Sequence, residues 1–226
     1  MMTNLFSTFD PATTTSMTIT KWMSTMMCLM LLPQMYWMMP SRMSMMSMKL
    51  VNMLNKEFKT LLSEKSSKES IMLITMFMFI LYNNMMGLLP YMFTSSSHLV
   101  FSLSLSLPMW LGLMLFGWAN KSQKMFAHLI PDGTPTPLMP FMVLIETTSN
   151  LIRPGSLAVR LTANMIAGHM LMSLLGNNMN NSTFIMMPLI LMAQTMLMMF
   201  ETAVSLIQAY VFSVLTTLYS SEVKYE

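Results

Sequence analysis

Long apolar stretches, each near the length of a membrane-crossing helix, alternate with short polar connections along this chain. A spanning helix needs about 20 predominantly apolar residues. Five regions meet that length: 21–39, interrupted by Pro33, then 71–93, 99–118, 138–175 and 184–218. No stretch recurs at a period of 20 to 50 residues, which excludes a solenoid. The pattern predicts an all-α membrane protein forming one integral domain over 1–226. It would have an N-terminal tail over 1–20, a hairpin over 71–118 and a longer hairpin over 138–218.

The segment 41–69 differs. Leu50, Leu54, Phe58 and Leu61 fall on one helical stripe, while Lys49, Asn52, Lys56, Lys59 and Ser63 fall elsewhere. This predicts an amphipathic helix, too polar to span and suited to the membrane interface. Its cations set the orientation. Arg42, Lys49, Lys56, Lys59, Lys65 and Lys68 lie between spans one and two, and Lys121 and Lys124 between spans three and four. The alternate connections, TSSSH and GNNMNNST, carry no lysine or arginine. Five crossings then place the N-terminus outside and the C-terminus inside.

The last two spans are too long for simple crossings. The segment 138–175 would extend roughly 57 Å at 1.5 Å per residue, against a hydrocarbon core of about 30 Å. These helices are expected to tilt or bend, and Pro154-Gly155 offers a bend. Because packing partners set tilt, a large partner is expected beside this hairpin.

Composition sharpens the class. Hydrophobic residues make up 54% and charged residues 9%, against roughly 25% charged in soluble domains. Too few charges remain to cover a soluble surface. A net charge of +3 without a basic stripe excludes nucleic acid as a partner. The single cysteine, Cys28, can form neither an intramolecular disulfide nor a thiolate metal site; it reads as a small apolar helix residue. The opening MMTNLFSTFDPATTTSMTIT lacks the features of a secretory signal or a transit peptide. Methionine reaches 36 residues. A genetic code that reads an isoleucine codon as methionine explains that excess, and points to a mitochondrially encoded protein of the inner membrane.

The ionisable residues are unevenly placed. Spans two and three hold no Asp, Glu, Lys or Arg, whereas the last two regions hold Glu146, Arg153, Arg160, His169 and Glu201. Each intramembrane charge costs about 2.5 to 3.5 kcal/mol on insertion scales, so such a cluster is a hypothesis about ion or proton movement. Arg160 and Asn164 share a helix face. Arg160 and His169 fall on opposite faces at about 100° per residue. Glu201 and Gln208 share a face. In an antiparallel hairpin, facing residues have nearly constant sums of residue numbers. One register then sets Arg160 by Gln208 and His169 by Glu201.

With that topology Glu146 lies nearest the inner side, Arg160 is central, and the His169–Glu201 pair lies nearer the outer side. A guanidinium stays protonated at any working pH, so Arg160 separates two half-pathways. It also lowers the pKa of any carboxylate brought within about 4 to 6 Å. A partner's acid arriving there gives up its proton. Arg153 reads as a structural or headgroup contact, His98 and His128 as loop residues, and Asp132 as a turn residue.

The stretch LIRPGSLAVRLTANMIAGH, with HLIPDGTPTPLMPFMVLIETTSN before it, closely resembles subunit a of F-type ATP synthases in the mitochondrially encoded form. The start MMTNLFSTFDP resembles arthropod members. The resemblance implies a proton-translocating stator subunit packing two long tilted helices against a rotating ring of c subunits. Its other partners would be the peripheral stalk, further membrane-sector subunits and the lipid bilayer. It implies no cofactor, no metal and no bond chemistry. Arg160 matches the arginine facing the ring, Asn164 and Gln208 its polar neighbours, His169 and Glu201 the outer access, and Glu146 an acid near the inner exit. A self-contained channel or transporter would spread polar groups over more spans or show two repeats. An intramembrane metal enzyme would need clustered histidines. Neither pattern is present.

Overall fold

The computed structural model describes residues 5–11, 18–30, 33, 38–62, 67–90, 92–130, 133–180 and 183–225. Among the described residues the chain is all-helical: α1 Thr18–Met30, α2 Arg42–Leu61, α3 Ser67–Gly87, α4 Leu99–Asn120, α5 Ser122–His128, α6 Met139–Asn180 and α7 Met187–Tyr225. Short 3-10 turns cover Leu5–Phe9, Ser95–Ser97 and Thr136–Leu138.

Four segments are long and apolar enough to cross a membrane: Glu69–Gly87, Leu99–Asn120, Thr136–Met179 and Met187–Glu222. They match the last four expected spans. The expected first span, 21–39, falls partly outside the described residues, as does the expected turn at Asp132. The described part of that span, α1, has 13 residues, about 20 Å of helix, which alone is shorter than the hydrocarbon core.

The two long helices are continuous. α6 has 42 residues and α7 has 39, roughly 63 Å and 58 Å. α6 remains helical through Pro154, because proline removes one backbone donor and the turns on either side keep their own bonds. A helix twice as long as the bilayer is thick must tilt, bend or project beyond it.

Packing is pairwise: α4 lies on α6, α3 on α7, and α6 against α7. The core joins Leu73, Ile74, Phe77 and Ile80 of α3 to Leu157 and Leu161 of α6 and to Ala209 and Phe212 of α7. The amphipathic helix α2 adds Leu54 and Phe58, with Leu62 just beyond its end. Its buried stripe is therefore rotated from the expected one. Leu54 and Phe58 are buried, while Leu50 and Leu61 are exposed. Val51 and Leu62 take their places on the inner side. The reason is that α2 packs on two of the chain's own helices, α3 and α7, and their position selects the face. Ser41 caps α2, its hydroxyl accepting from the Ser44 amide.

Close helix approach comes from small hydroxyl residues. Thr162, Ser205, Ser213, Thr216, Thr217 and Ser220 are buried. Each donates to a carbonyl one turn back on its own helix, which satisfies the hydroxyl without a partner helix.

Two ends of the molecule can be told apart. The Leu5–Phe9 and Ser95–Ser97 turns both pack on α6, and Phe9 meets His169 there. This end is called outer below. At the other, inner end, α2 is joined to α3, and Arg153 bonds Glu222 at the end of α7.

Candidate proton path

α6 has two unlike faces. Leu157, Ala158, Leu161, Thr162 and Met165 point into the protein and are buried. Ser156, Val159, Arg160, Ala163, Asn164 and Ala167 are exposed. The exposed set follows helical spacing and is made of small residues around one cation. Among the described residues no carboxylate forms an ion pair with Arg160. Its guanidinium points away from the chain's own core, midway along a helix that crosses the apolar layer.

Asn164, one turn further on, donates to the Gln208 side-chain carbonyl at 2.8 Å. Gln208 is buried on α7. The expected antiparallel sense of the hairpin holds, but the expected Arg160–Gln208 neighbours do not form the rung. Asn164 takes Gln208 instead, one turn along. Equal sums of residue numbers ignore the rotation of each helix about its axis, and rotation decides which of two residues on a face meets the partner. The shift leaves Arg160 open to the outside.

Glu201 is buried on α7, 9% exposed. Its carboxylate lies against Gly168, where a Cβ would stand 2.9 Å from both Cδ and Oε1. Only a residue without a side chain leaves that space. His169 is the next residue, half-buried, with its ring edge-on to Phe9 at 6.3 Å between centroids. The expected His169–Glu201 pairing is therefore a neighbourhood and not a direct bond. No hydrogen bond joins the two, and His169 Nε2 and Glu201 Oε1 are both buried without a protein partner. The glycine leaves room for the carboxylate against the α6 backbone, while the histidine ring meets Phe9 of the N-terminal turn.

At the inner end Arg153 Nη1 donates to Glu222 Oε2 at 2.6 Å, and Nη2 lies 3.7 Å from Glu146 Oε1. The Tyr219 ring sits 4.9 Å from the same guanidinium. Arg153 thus ties the hairpin together in place of a headgroup contact, and holds Glu146 in a group of two acids and one cation.

Sequence reasoning missed several polar groups on the two expected spans that lack charges. Both amide atoms of Asn84 on α3, Ser106 Oγ and Trp110 Nε1 on α4, and Ser96 Oγ before α4 are buried without a protein partner. Met85, beside Asn84, receives the Ser205 hydroxyl at its sulfur, 3.5 Å away. That contact sets this part of α3 one turn of α7 from Glu201. The repeated serines of FSLSLSLP and the pair Asn83-Asn84 were the available signal. Neutral polar residues in membrane helices ordinarily serve packing, so they did not stand out. Among the described residues no cluster of three His, Cys, Asp or Glu could hold a metal ion.

The family described as ATP synthase A chain matches residues 13–221. The sequence is 56% identical over 224 residues to ATP synthase subunit a of Drosophila melanogaster, covering 99% of this chain and 100% of the relative. It is 55% identical to ATP synthase subunit a of Locusta migratoria and of Aedes aegypti, over 224 and 225 residues, with the same coverage. With an exposed mid-helix arginine on one of two overlong hairpin helices and near-complete likeness to insect relatives, the chain belongs to the ATP synthase subunit a family.

Proposed function

We propose that this chain is the proton-translocating stator subunit of the ATP synthase membrane sector, conducting protons through two half-channels beside a rotating c-ring. The observation that carries the reading is the exposed, centrally placed Arg160. A permanent cation on an apolar helix face is costly in lipid, and a partner bearing a carboxylate offsets that cost. The small residues around it suit close approach by a rotor helix.

The two ends supply the half-channels. Toward the outer side, buried polar atoms of Asn84, Ser106, His169 and Glu201, with Trp110 midway along α4, have no protein partner, as a hydrated path requires. On the inner side, Glu146 and Glu222 gather at Arg153. A proton arriving past His169 and Glu201 would neutralise a rotor carboxylate, which then enters lipid uncharged. After a turn the acid meets the inner side, loses its proton toward Glu146, and returns ionised to Arg160. The guanidinium cannot be deprotonated, so protons cannot bypass the rotor. Asn164 and Gln208 fix the hairpin beside it. The chain itself makes and breaks no bonds of ATP. The potential contributes about 2.3 kcal/mol per charge per 100 mV, and rotation adds several such steps.

This reading places the chain in the mitochondrial inner membrane, with the outer end toward the intermembrane space and the C-terminus toward the matrix. Its partners are the c-ring, the peripheral stalk, neighbouring membrane-sector subunits and lipid. Replacing Arg160 with alanine in the complete synthase tests it. The complex should assemble, and proton-driven ATP synthesis should be abolished. Retained coupled synthesis would overturn the mechanism.

A further inference from the structure

The N-terminal turn Leu5–Phe9 packs against α6, and its last residue touches two histidines. The Phe9 ring meets the His169 ring edge-on, at 6.3 Å and 83°. The Phe9 backbone lies against the His98 ring. His98 is itself held in an aromatic cluster, stacked on Phe93 at 5.2 Å and 5.5 Å from Trp22. Burial there lowers the His98 pKa below its ordinary value, which favours the neutral ring. Lys21 completes the attachment, donating to the Asp10 carbonyl at 2.9 Å with its ammonium 6.0 Å from the centre of the Phe93 ring. The turn is thus anchored from both α1 and the segment before α4.

We propose that the N-terminal turn is an anchored cover on the outer half-channel, in which Phe9 is a positioning residue for the His169 ring and His98 is its anchor. This rests on the proton-conducting reading given above. The physical reason is that His169 adjoins Gly168, against which the buried Glu201 rests, and its Nε2 has no protein partner to orient the ring. An edge-on aromatic contact restricts the ring's rotation, as aromatic pairs prefer such geometry. The His98 ring against the Phe9 backbone fixes the aromatic in turn.

The test uses the assembled synthase in mitochondrial membranes, with proton-driven synthesis expressed per assembled complex. Phe9→Leu keeps apolar bulk and the backbone carbonyl but removes the ring edge. It should lower the rate roughly threefold to tenfold, within the range that misplacement of a positioned group costs. Phe9→Tyr should restore it. His98→Leu should reproduce the Phe9→Leu loss, and His98→Gln, which keeps an N–H donor, should largely recover it. A merely structural turn would change the amount of assembled complex and leave the rate per complex intact, and that result overturns the proposal. So does a Phe9→Leu synthase with the unaltered rate. Arg160→Ala measured in parallel separates the two readings. If it abolishes coupling while Phe9→Leu is silent, only the cover is wrong; if it retains coupling, the conduction mechanism fails first.

Discussion

Gly168 and Arg160 sit two turns apart on one helix and act by opposite means. Arg160 projects a charge outward, and Gly168 projects nothing, which lets the Glu201 carboxylate rest on the α6 backbone. A Cβ at 168 would press only on the end of a flexible side chain, so the fold can accommodate it. Gly168→Ala should therefore assemble normally and lower proton-driven synthesis, by up to about a hundredfold if the carboxylate moves by an ångström. ATP synthesis per assembled complex checks this, and an unaltered rate would show that the position of Glu201 is unimportant. Arg160, His169 and Glu201 were legible in the sequence because charge in an apolar run is conspicuous. Gly168 was not, since a glycine has meaning only once the facing helix is known. Asn84 and Trp110 were hidden for a related reason: their significance lies in lacking a protein partner, which only packing reveals.

At the level of elements, the hairpin and the amphipathic helix teach the same lesson about rotation. Consecutive spans make α6 and α7 an antiparallel pair, and the Asn164–Gln208 and Arg153–Glu222 bonds together agree with that sense, with the rung moved by one turn. Removing both side chains by leucine substitution should show coupling of about 0.6 kcal/mol, and at most about 1.7, typical of interhelical bonds in membranes. A double-mutant cycle on the thermal stability of the solubilised membrane sector measures it, and zero coupling would dismiss the bond. In α2 the periodicity predicted an amphipathic helix but misjudged its phase, because leucine is equally apolar at 50, 54 and 61 and only the neighbours choose. Phe58 is 0% exposed and Leu61 is 38% exposed. Phe58→Ala should therefore destabilise by about 3 to 5 kcal/mol, and Leu61→Ala by less than about 1 kcal/mol. Equal losses in that assay would mean α2 does not pack as described.

Across the described residues, the acidic groups and His169 of the hairpin divide into an outer set and an inner set, and Arg160 lies exposed between them. The last four spans and the overlength of the hairpin were readable from the sequence. The link closing the inner end was not, since Glu222 lies beyond the last expected span and its partner Arg153 stands 69 positions away. This division has a consequence for the protein without its rotor. On the proposed reading, a half-channel at each end does not make a through-path, because the guanidinium between them holds its charge. The chain reconstituted alone in vesicles should therefore pass no protons when a potassium-diffusion potential is imposed, as read by an internal pH dye. The membrane sector reconstituted with its c-ring should conduct under the same potential, and Arg160→Ala in that assembly should uncouple flow from rotation. Steady proton flux through the solitary chain would instead make it a self-contained channel, and the separation of the two polar sets by Arg160 would have no mechanistic content.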